Sequence, residues 1–543
     1  MAAYDDLALA EDVMPLGHLL LRSARRAPRD EALVFPDVRW TYADLVARSW
    51  EVGRALVALG VQPGEHVGLL MTNHPDLVAS FFGVSLAGAV VVPINARYRA
   101  SELEFLVRDA DLVALLTHDS ADDHVDFTAL LADALADRPP QLRDVVMMGA
   151  REPEGMVGRA RFLAAGEADE EAGRELTRRV EGQRMRDPAL ILYTSGTTST
   201  PRGAILTQEA HVRTWLTTGA TWGTTAADRH WTALPLFHVT ALGCLTWVLA
   251  AGATFITDYH WDAGRALEAV QRERATEFYP AYQPIMEDFV NHPNFASADL
   301  GAIRTFLNVA PPEVLAKFQA LLPHATQLTT YGGTEGGPVA LARPDDALED
   351  RLNTCGRPQA GLELRVCDDV TGEPVPPGTP GIIQFRGFNT LSGYHRSPEK
   401  TAESMLDGGW VTMSDLGVVD ERGYALFLGR AKETLKVGGE NVAPQEVEAQ
   451  LCTHPAVKLA QVVGLPDERL IEVPAAFVEL VPGAEVTAQE LIDHVRGRVA
   501  RFKVPRLIRF IDGADWPMST TKIQRTALRA RLLEELTQEG ATP

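Results

Sequence analysis

The segment YTSGTTSTPRG, residues 193–203, decides how this chain is read. It gathers Thr194, Ser195, Thr197 and Thr198 around Gly196 and ends on one cation, Arg202. Hydroxyls and backbone N–H groups donate to phosphate oxygens, glycine lets the main chain come close, and arginine adds a charged fork of donors. DPALILYT reads as a strand entering the loop and AILT as a strand leaving it, after which Thr207 caps the helix QEAHVRTWL. That is not the Walker arrangement, whose glycine loop runs straight into a helix and ends in Gly-Lys-Ser/Thr. By composition alone, a polar turn is the competing reading.

Outward from the loop, a regular alternation extends to about residue 350. Short apolar strands such as HVGLLM, AVVVPI, ALLT, VVMMG, FITD and TFLNVA alternate with helical stretches. This pattern predicts an α/β fold with largely parallel sheets. From Leu362 the texture becomes β-rich, with LELRVCD, GIIQFRG and LGVVDERGYALFLGR. After Val442 helices return, interleaved with the strands AQVVGLP, AAFVEL and LIRFID, as in a small α+β domain of about a hundred residues.

At 543 residues and 46% hydrophobic side chains, the chain buries more than one core. Its net charge of -22 disfavours nucleic acid and anionic membranes as partners. Two uncharged runs, residues 77–94 and 239–257, approach membrane-spanning length. Each breaks at a glycine before a short β-branched stretch, so each reads as helix, turn and buried strand, and no membrane span is expected. The resemblance between the runs hints at two related α/β halves in the large domain. Cys244, Cys355, Cys367 and Cys452 are far apart and form no CxxC pair, which fits a reducing cytoplasm without a structural zinc site. The acidic N-terminus lacks the basic and apolar regions of a signal peptide.

Four further segments carry chemistry. TTYGGTEGG, residues 329–337, sets Tyr331 and Glu335 among paired glycines; the ring suits a base, and the carboxylate suits Mg²⁺. GWVTMSD, residues 409–415, ends on Asp415, which can accept ribose hydroxyls or simply sit in a turn before the strand LGVVD. GRAKE, residues 429–433, leads into KVGGEN, residues 436–441. STTKIQR, residues 519–525, carries Lys522. Taken singly, Lys436 and Lys522 are ordinary surface lysines.

In this order and spacing the five segments resemble the adenylate-forming superfamily of acyl-CoA synthetases, peptide-synthetase adenylation domains and luciferases. The resemblance covers essentially the whole chain. PINAR (residues 93–97), Ser199, PLFH (residues 235–238) and LNVAP (residues 307–311) are most similar to the carnitine/crotonobetaine and medium-chain acyl-CoA ligase branch.

The resemblance implies an N-terminal adenylation domain over residues 1–429, comprising two related α/β subdomains and a β-rich one. It implies a hinge at 430–432 and a small mobile α+β domain over 433–543. It implies an enzyme using ATP, Mg²⁺ and CoA: a carboxylate attacks the ATP α-phosphate, and a thiol then displaces AMP from the acyl-adenylate. Thr194 to Thr198, with Arg202, would cradle the β- and γ-phosphates. Thr334 would contact the α-phosphate, and Glu335 would hold Mg²⁺. Asn308, Ala310, Pro311, Tyr331 and Gly332 would flank adenine, and Asp415 with Arg430 would bind ribose. Phe237, His238, Val239, Gly243 and Tyr279 would line the acyl pocket, with Trp231, Trp247 and Tyr282 near it. Lys522 would serve adenylation, and Lys436, Gly438 and Gly439 the thiol step. Rotation about Lys432 would exchange the two lysines. A homodimer is a further family-level expectation.

The chain departs from the family pattern at four places. Thr521 stands where glycine usually precedes the last lysine, Ser414 replaces the glycine before Asp415, Arg202 replaces a lysine, and Val309 precedes Ala310-Pro311 where glycine is common. Arginine and lysine both bind phosphate, with different geometry. Thr521 and Ser414 motivate an alternative within the same fold, a diazotase that activates nitrite and acts on an aromatic amine. A nucleotide-binding scaffold without catalysis is the reading of a different class.

Overall fold

A computed structural model describes residues 13–119, 125–194, 201–433, 435–437, 440–467, 469–496, 498–519 and 522–539. The loop residues Ser195 to Thr200, the glycines Gly438 and Gly439, Thr521, and the side chains of Lys432, Lys436 and Lys522 lie outside the described set.

Two large sheets organise the first part of the chain. One has eight strands in the order Gly393–Tyr394, Arg202–Thr207, Pro188–Thr194, Val90–Pro93, His66–Leu70, Leu112–Thr117, Asp144–Met147 and Val157–Gly158. The other has seven, in the order Thr326–Leu328, Thr305–Val309, Glu277–Tyr282, Arg229–Trp231, Thr254–Ile256, Glu31–Val34 and Arg39–Thr41. Their central pairings are parallel. Parallel strands are covered on both faces, so they need continuous apolar runs. Val90–Pro93 and Leu112–Thr117 meet that need, with every residue buried.

Both uncharged runs fold as their glycines predict. Pro75–Leu86 is a helix, Gly88 turns at φ 74°, and Val90–Pro93 is a strand. Val239–Ala251 is a helix that ends on left-handed Gly252 before the strand Thr254–Ile256. Only a residue without Cβ takes that conformation cheaply. Among the described residues no helix is long and apolar enough to cross a membrane. The largest core joins the two sheets through these helices, from Leu190 and Ala204 on one side to Phe255 and Tyr279 on the other.

The β-rich region forms a five-stranded antiparallel sheet in which Trp410–Val419 pairs with both Gly381–Gly387 and Ala425–Arg430. Sequence reading begins that strand at Leu416; the structure begins it at Trp410, so Asp415 sits mid-strand, and Ser414 before it takes a positive φ of 59°.

Beyond the short helical turn Ala431–Glu433, a second sheet centres on Val457–Asp467 and Ile471–Leu480, with one core on each face. This part rests on the first through Lys458 Nζ to Asp288 Oδ1 at 2.8 Å and Gln450 Nε2 to Glu313 Oε1 at 3.1 Å. Lys522–Ile523 pairs with Met518–Ser519, and Ser519 lies opposite Lys522. The next helix, Arg525–Gln538, begins on Arg525, whose Nη2 donates to both oxygens of buried Glu448 at 2.9 and 2.8 Å. Its Nη1 donates to Glu433. Arg525 thus ties the segment of Lys522 to the turn that starts this part of the chain.

Burial pushes the Glu448 carboxyl up in pKa, against the pull of Arg525. Arg525→Ala leaves that carboxylate without its cation and destabilises this region by roughly 3–5 kcal/mol. Hydrogen exchange in Val457–Asp467 then accelerates by two orders of magnitude or more. Glu448→Gln in the same background recovers part of the loss, and unchanged exchange in Arg525→Ala contradicts the assignment.

Candidate active site

The phosphate-like loop is closed at its base by the pair Thr194↔Arg202, where Pro188–Thr194 meets Arg202–Thr207 antiparallel. The Thr207 hydroxyl then accepts from Ala210 N–H and starts the helix Gln208–Trp222. The two strands that flank residues 195–200 and the Thr207 cap are both present. The Arg202 guanidinium lies over the Tyr394 ring, 5.8 Å from its centre. Tyr394, on the strand beside Arg202–Thr207, donates its hydroxyl to Glu335 Oε1 at 2.8 Å. Burial, reinforced by the Glu335 charge, pushes the Tyr394 phenol up, so it stays a donor.

Glu335 belongs to the turn between Thr330–Gly333 and Gly337–Leu341. Leu391 N–H donates to the Glu335 carbonyl at 2.9 Å, and Asn389 Nδ2 donates to the Gly336 carbonyl at 2.8 Å. Glycine is required where a side chain would intrude. A Cβ on Gly332 would come within 2.0 Å of the Gly337 carbonyl oxygen, and Gly337 itself has φ 60°. Thr334 is half-buried in the same turn.

Asp415 lies at the end of a second chain of contacts. The Tyr331 hydroxyl donates to Asp415 Oδ2 at 2.9 Å, and Arg430 Nε lies 2.8 Å from Oδ1. Asp415 and Arg430 face each other across adjacent strands, so the ladder register builds the ion pair. Asp415 is 2% exposed. Burial pushes the Tyr331 phenol well up, and the Asp415 charge adds to it. Burial works against the charge on Arg430, but Asp415, with Glu335 and Glu433 beyond, raises its pKa overall. The Tyr331 ring stacks on Phe427 at 5.8 Å. Asn308 is fully buried, with Nδ2 3.3 Å from Gln327 Oε1, while Val309 is exposed and Ala310 is partly buried. Pro311 precedes the helix Pro312–Leu321.

The expected acyl-pocket residues meet around one helix. His238 precedes Val239–Ala251, the Phe237 ring lies tilted against it at 4.9 Å, and Gly243 is one turn further on. A Cβ on Gly243 would lie 1.9 Å from Trp215, so this glycine makes room for an indole. Trp215 stacks on Trp247 at 5.6 Å, and Tyr279 lies 5.9 Å from Trp247. Trp231 is elsewhere: it packs against Phe278 and Trp261 in a separate core. Adjacent strand residues face opposite ways, so His230, not Trp231, shares the face of Glu277 and Tyr279. That alternation is legible in sequence once the strand is placed. Trp215, Tyr394 and Asn389 carried no such signal, because their roles come from contacts across long chain separations.

The sequence profile of AMP-binding enzymes matches residues 20–395, and that of the AMP-binding enzyme C-terminal domain matches residues 446–521. A feruloyl-CoA synthase of Amycolatopsis sp is 34% identical over 502 residues, covering 92% of this chain and 95% of its own. A mitochondrial medium-chain acyl-CoA ligase, ACSF2 of Macaca fascicularis, is 30% identical, covering 96% and 87%. The crystal structure of the anthranilate CoA ligase AuaEII in complex with anthranoyl-AMP superposes with a TM-score of 0.87 at 28% identity, covering 99% of this chain and 100% of its own.

Tyr331→Phe removes a donor from a buried carboxylate and destabilises the protein by roughly 1–3 kcal/mol. Denaturant titration of the purified variant measures this. A variant as stable as the wild type would show that the hydroxyl is not what satisfies Asp415.

Proposed function

The chain belongs to the family of AMP-binding enzymes and is by class an AMP-forming CoA ligase, and from that premise we propose that it activates an aromatic carboxylic acid as its acyl-adenylate and passes the acyl group to CoA. In the first step a carboxylate oxygen bonds to the α-phosphorus of ATP, and the bond to the bridging oxygen breaks, releasing pyrophosphate. In the second, the CoA sulfur bonds to the acyl carbon, AMP leaves with the original carboxylate oxygen, and the thiol proton passes to solvent.

The observation that carries this reading is the chain Arg202–Tyr394–Glu335. It draws the base of the hydroxyl-rich loop to the glycine turn, so Thr194, Ser195, Gly196, Thr197, Thr198, Arg202 and Thr334 can grip one polyphosphate. Asp415 retains acceptor lone pairs beyond those used by Tyr331 and Arg430, and these serve ribose. Asn308, Ala310, Pro311, Tyr331 and Gly332 flank adenine. Glu335 fits a Mg²⁺ site: it is a hard oxygen ligand with one oxygen held by Tyr394. Mg²⁺ there would neutralise phosphate charge.

Lys522 supplies the cation that lets two anions meet in the first step. Lys436, with Gly438 and Gly439 leaving room for pantetheine, serves the second. Rotation about Lys432 exchanges them, and the Arg525–Glu433 contact supports the two lysines moving as one body.

The indole and phenol rings around Gly243 favour a flat acid. Feruloyl-CoA synthase and anthranilate CoA ligase, both similar to this chain, are named for ring-bearing acids. The diazotising alternative draws no support from these relatives.

Product analysis with ATP, CoA and a panel of aromatic and medium-chain acids tests the reading. It predicts CoA thioester and AMP in equal amounts, and no thioester from any acid would sink it. Lys522→Ala loses pyrophosphate release by at least about a hundredfold yet still forms thioester from supplied acyl-adenylate. Lys436→Ala does the reverse. If both variants lose the same half-reaction, the rotation is wrong.

A further inference from the structure

Behind the aromatic wall lies a cavity of about 20 Å³, space for one water-sized group. Trp222, His230, Trp247, Glu277, Tyr279 and Leu307 contribute to its lining. Its polar groups satisfy one another only in part. His230 Nδ1 lies 3.0 Å from Glu277 Oε2, and a carboxylate only accepts, so the proton sits on Nδ1. The other Glu277 oxygen takes the Thr224 hydroxyl at 2.7 Å and Arg304. Among the described residues, His230 Nε2 has no partner, and neither does the Trp247 indole Nε1. His230 is 1% exposed and Trp247 2%. Unpaired buried polar groups are costly, and native proteins rarely leave two beside one cavity.

The cavity stands in line with the nucleotide loop. Trp215 comes within 3.8 Å of where a side chain on Gly337 would begin. Trp247 stacks on Trp215, and the His230 ring lies 5.2 Å beyond Trp247. Along Glu277–Tyr282 the separation is similar. Ala281 pairs with Asn308 near the nucleotide side, and Glu277 pairs with His230 four residues earlier, roughly 13 Å away. The rings of Trp215 and Trp247 thus lead from the glycine turn toward the cavity.

Building on the acid–CoA ligase reading, we infer that the substrate is an aryl acid with a hydroxyl remote from its carboxylate, and that His230 and Trp247 select it. The hydroxyl donates to His230 Nε2 and accepts from Trp247 Nε1–H. A hydrogen or methyl at that position leaves both groups unpaired. A methoxy oxygen accepts but cannot donate, and an aryl amine, neutral at pH 7, donates but accepts poorly because its lone pair is delocalised into the ring. The hydroxyl alone among these satisfies both partners.

The test is ATP–pyrophosphate exchange and CoA thioester formation by the full chain. The substrates are benzoates and cinnamates bearing hydrogen, hydroxyl or methoxy at each ring position. One hydroxylated isomer is expected to exceed its parent acid by at least about thirtyfold in kcat/KM, because a site built around a hydroxyl rejects the analogue lacking it. His230→Phe and Trp247→Phe each shrink the ratio of kcat/KM between that isomer and its parent acid by about tenfold or more, whatever either does to the parent acid itself. The wild-type comparison holds whether or not either variant folds. If exchange proceeds but every hydroxylated acid stays within about threefold of its parent, the cavity holds only water, and the selection is overturned while the ligase reading stands. Absence of exchange with every acid would overturn the ligase reading and this inference with it.

Discussion

A carboxylate taken out of water must be compensated by donors or a cation, or it will not stay charged. Asp415 is such a group, and its two partners come from different parts of the chain: Tyr331 from the three-stranded sheet that carries the glycine turn, and Arg430 from the neighbouring strand of its own sheet. Satisfying Asp415 therefore fixes the glycine turn against the antiparallel sheet. It also fixes where that sheet ends, because the residue after Arg430 begins the turn Ala431–Glu433. The same turn is held by Arg525, which also anchors the segment carrying Lys522. One buried charge thus sets the shelf formed by the glycine turn and the point from which the small domain departs.

A second chain of contacts orders the shelf from the other side. Arg202 over Tyr394, Tyr394 on Glu335, and Asn389 on Gly336 dock the glycine turn against the edge of the eight-stranded sheet. Behind the turn, Gly243 leaves room for Trp215, and Gly337 lies beside it. Trp215 and Trp247 then form a wall between the two large sheets. The glycine turn and the aromatic wall share a border at Gly337, which lies beside both Thr214 and Trp215.

Much of this was legible in the sequence, for local reasons. Thr207 capped its helix because the hydroxyl reaches Ala210 N–H within one turn. Gly252 ended its helix because the left-handed region is open to glycine. Both properties belong to a few neighbouring residues. Asp415 was legible as an acidic residue in a five-segment pattern, but its place in mid-strand was not: Ser414 takes a positive φ that a strand pattern does not announce. The aromatic cluster was half legible: Trp247 and Tyr279 come together, 5.9 Å apart, whereas Trp231 faces the opposite side of its strand and His230 shares their face. Trp215 and Tyr394 owe their roles to partners far away in sequence, and no spacing rule reports those.

The central claim is that the acid oxygen, not a phosphate oxygen, makes the new bond to the ATP α-phosphorus. Isotope tracing tests this most directly. With an acid labelled with ¹⁸O in both carboxylate oxygens, ATP and CoA, the account predicts one ¹⁸O in the phosphate of AMP and none in pyrophosphate, read by mass spectrometry. Label in inorganic phosphate, or unlabelled AMP beside a thioester product, would contradict it.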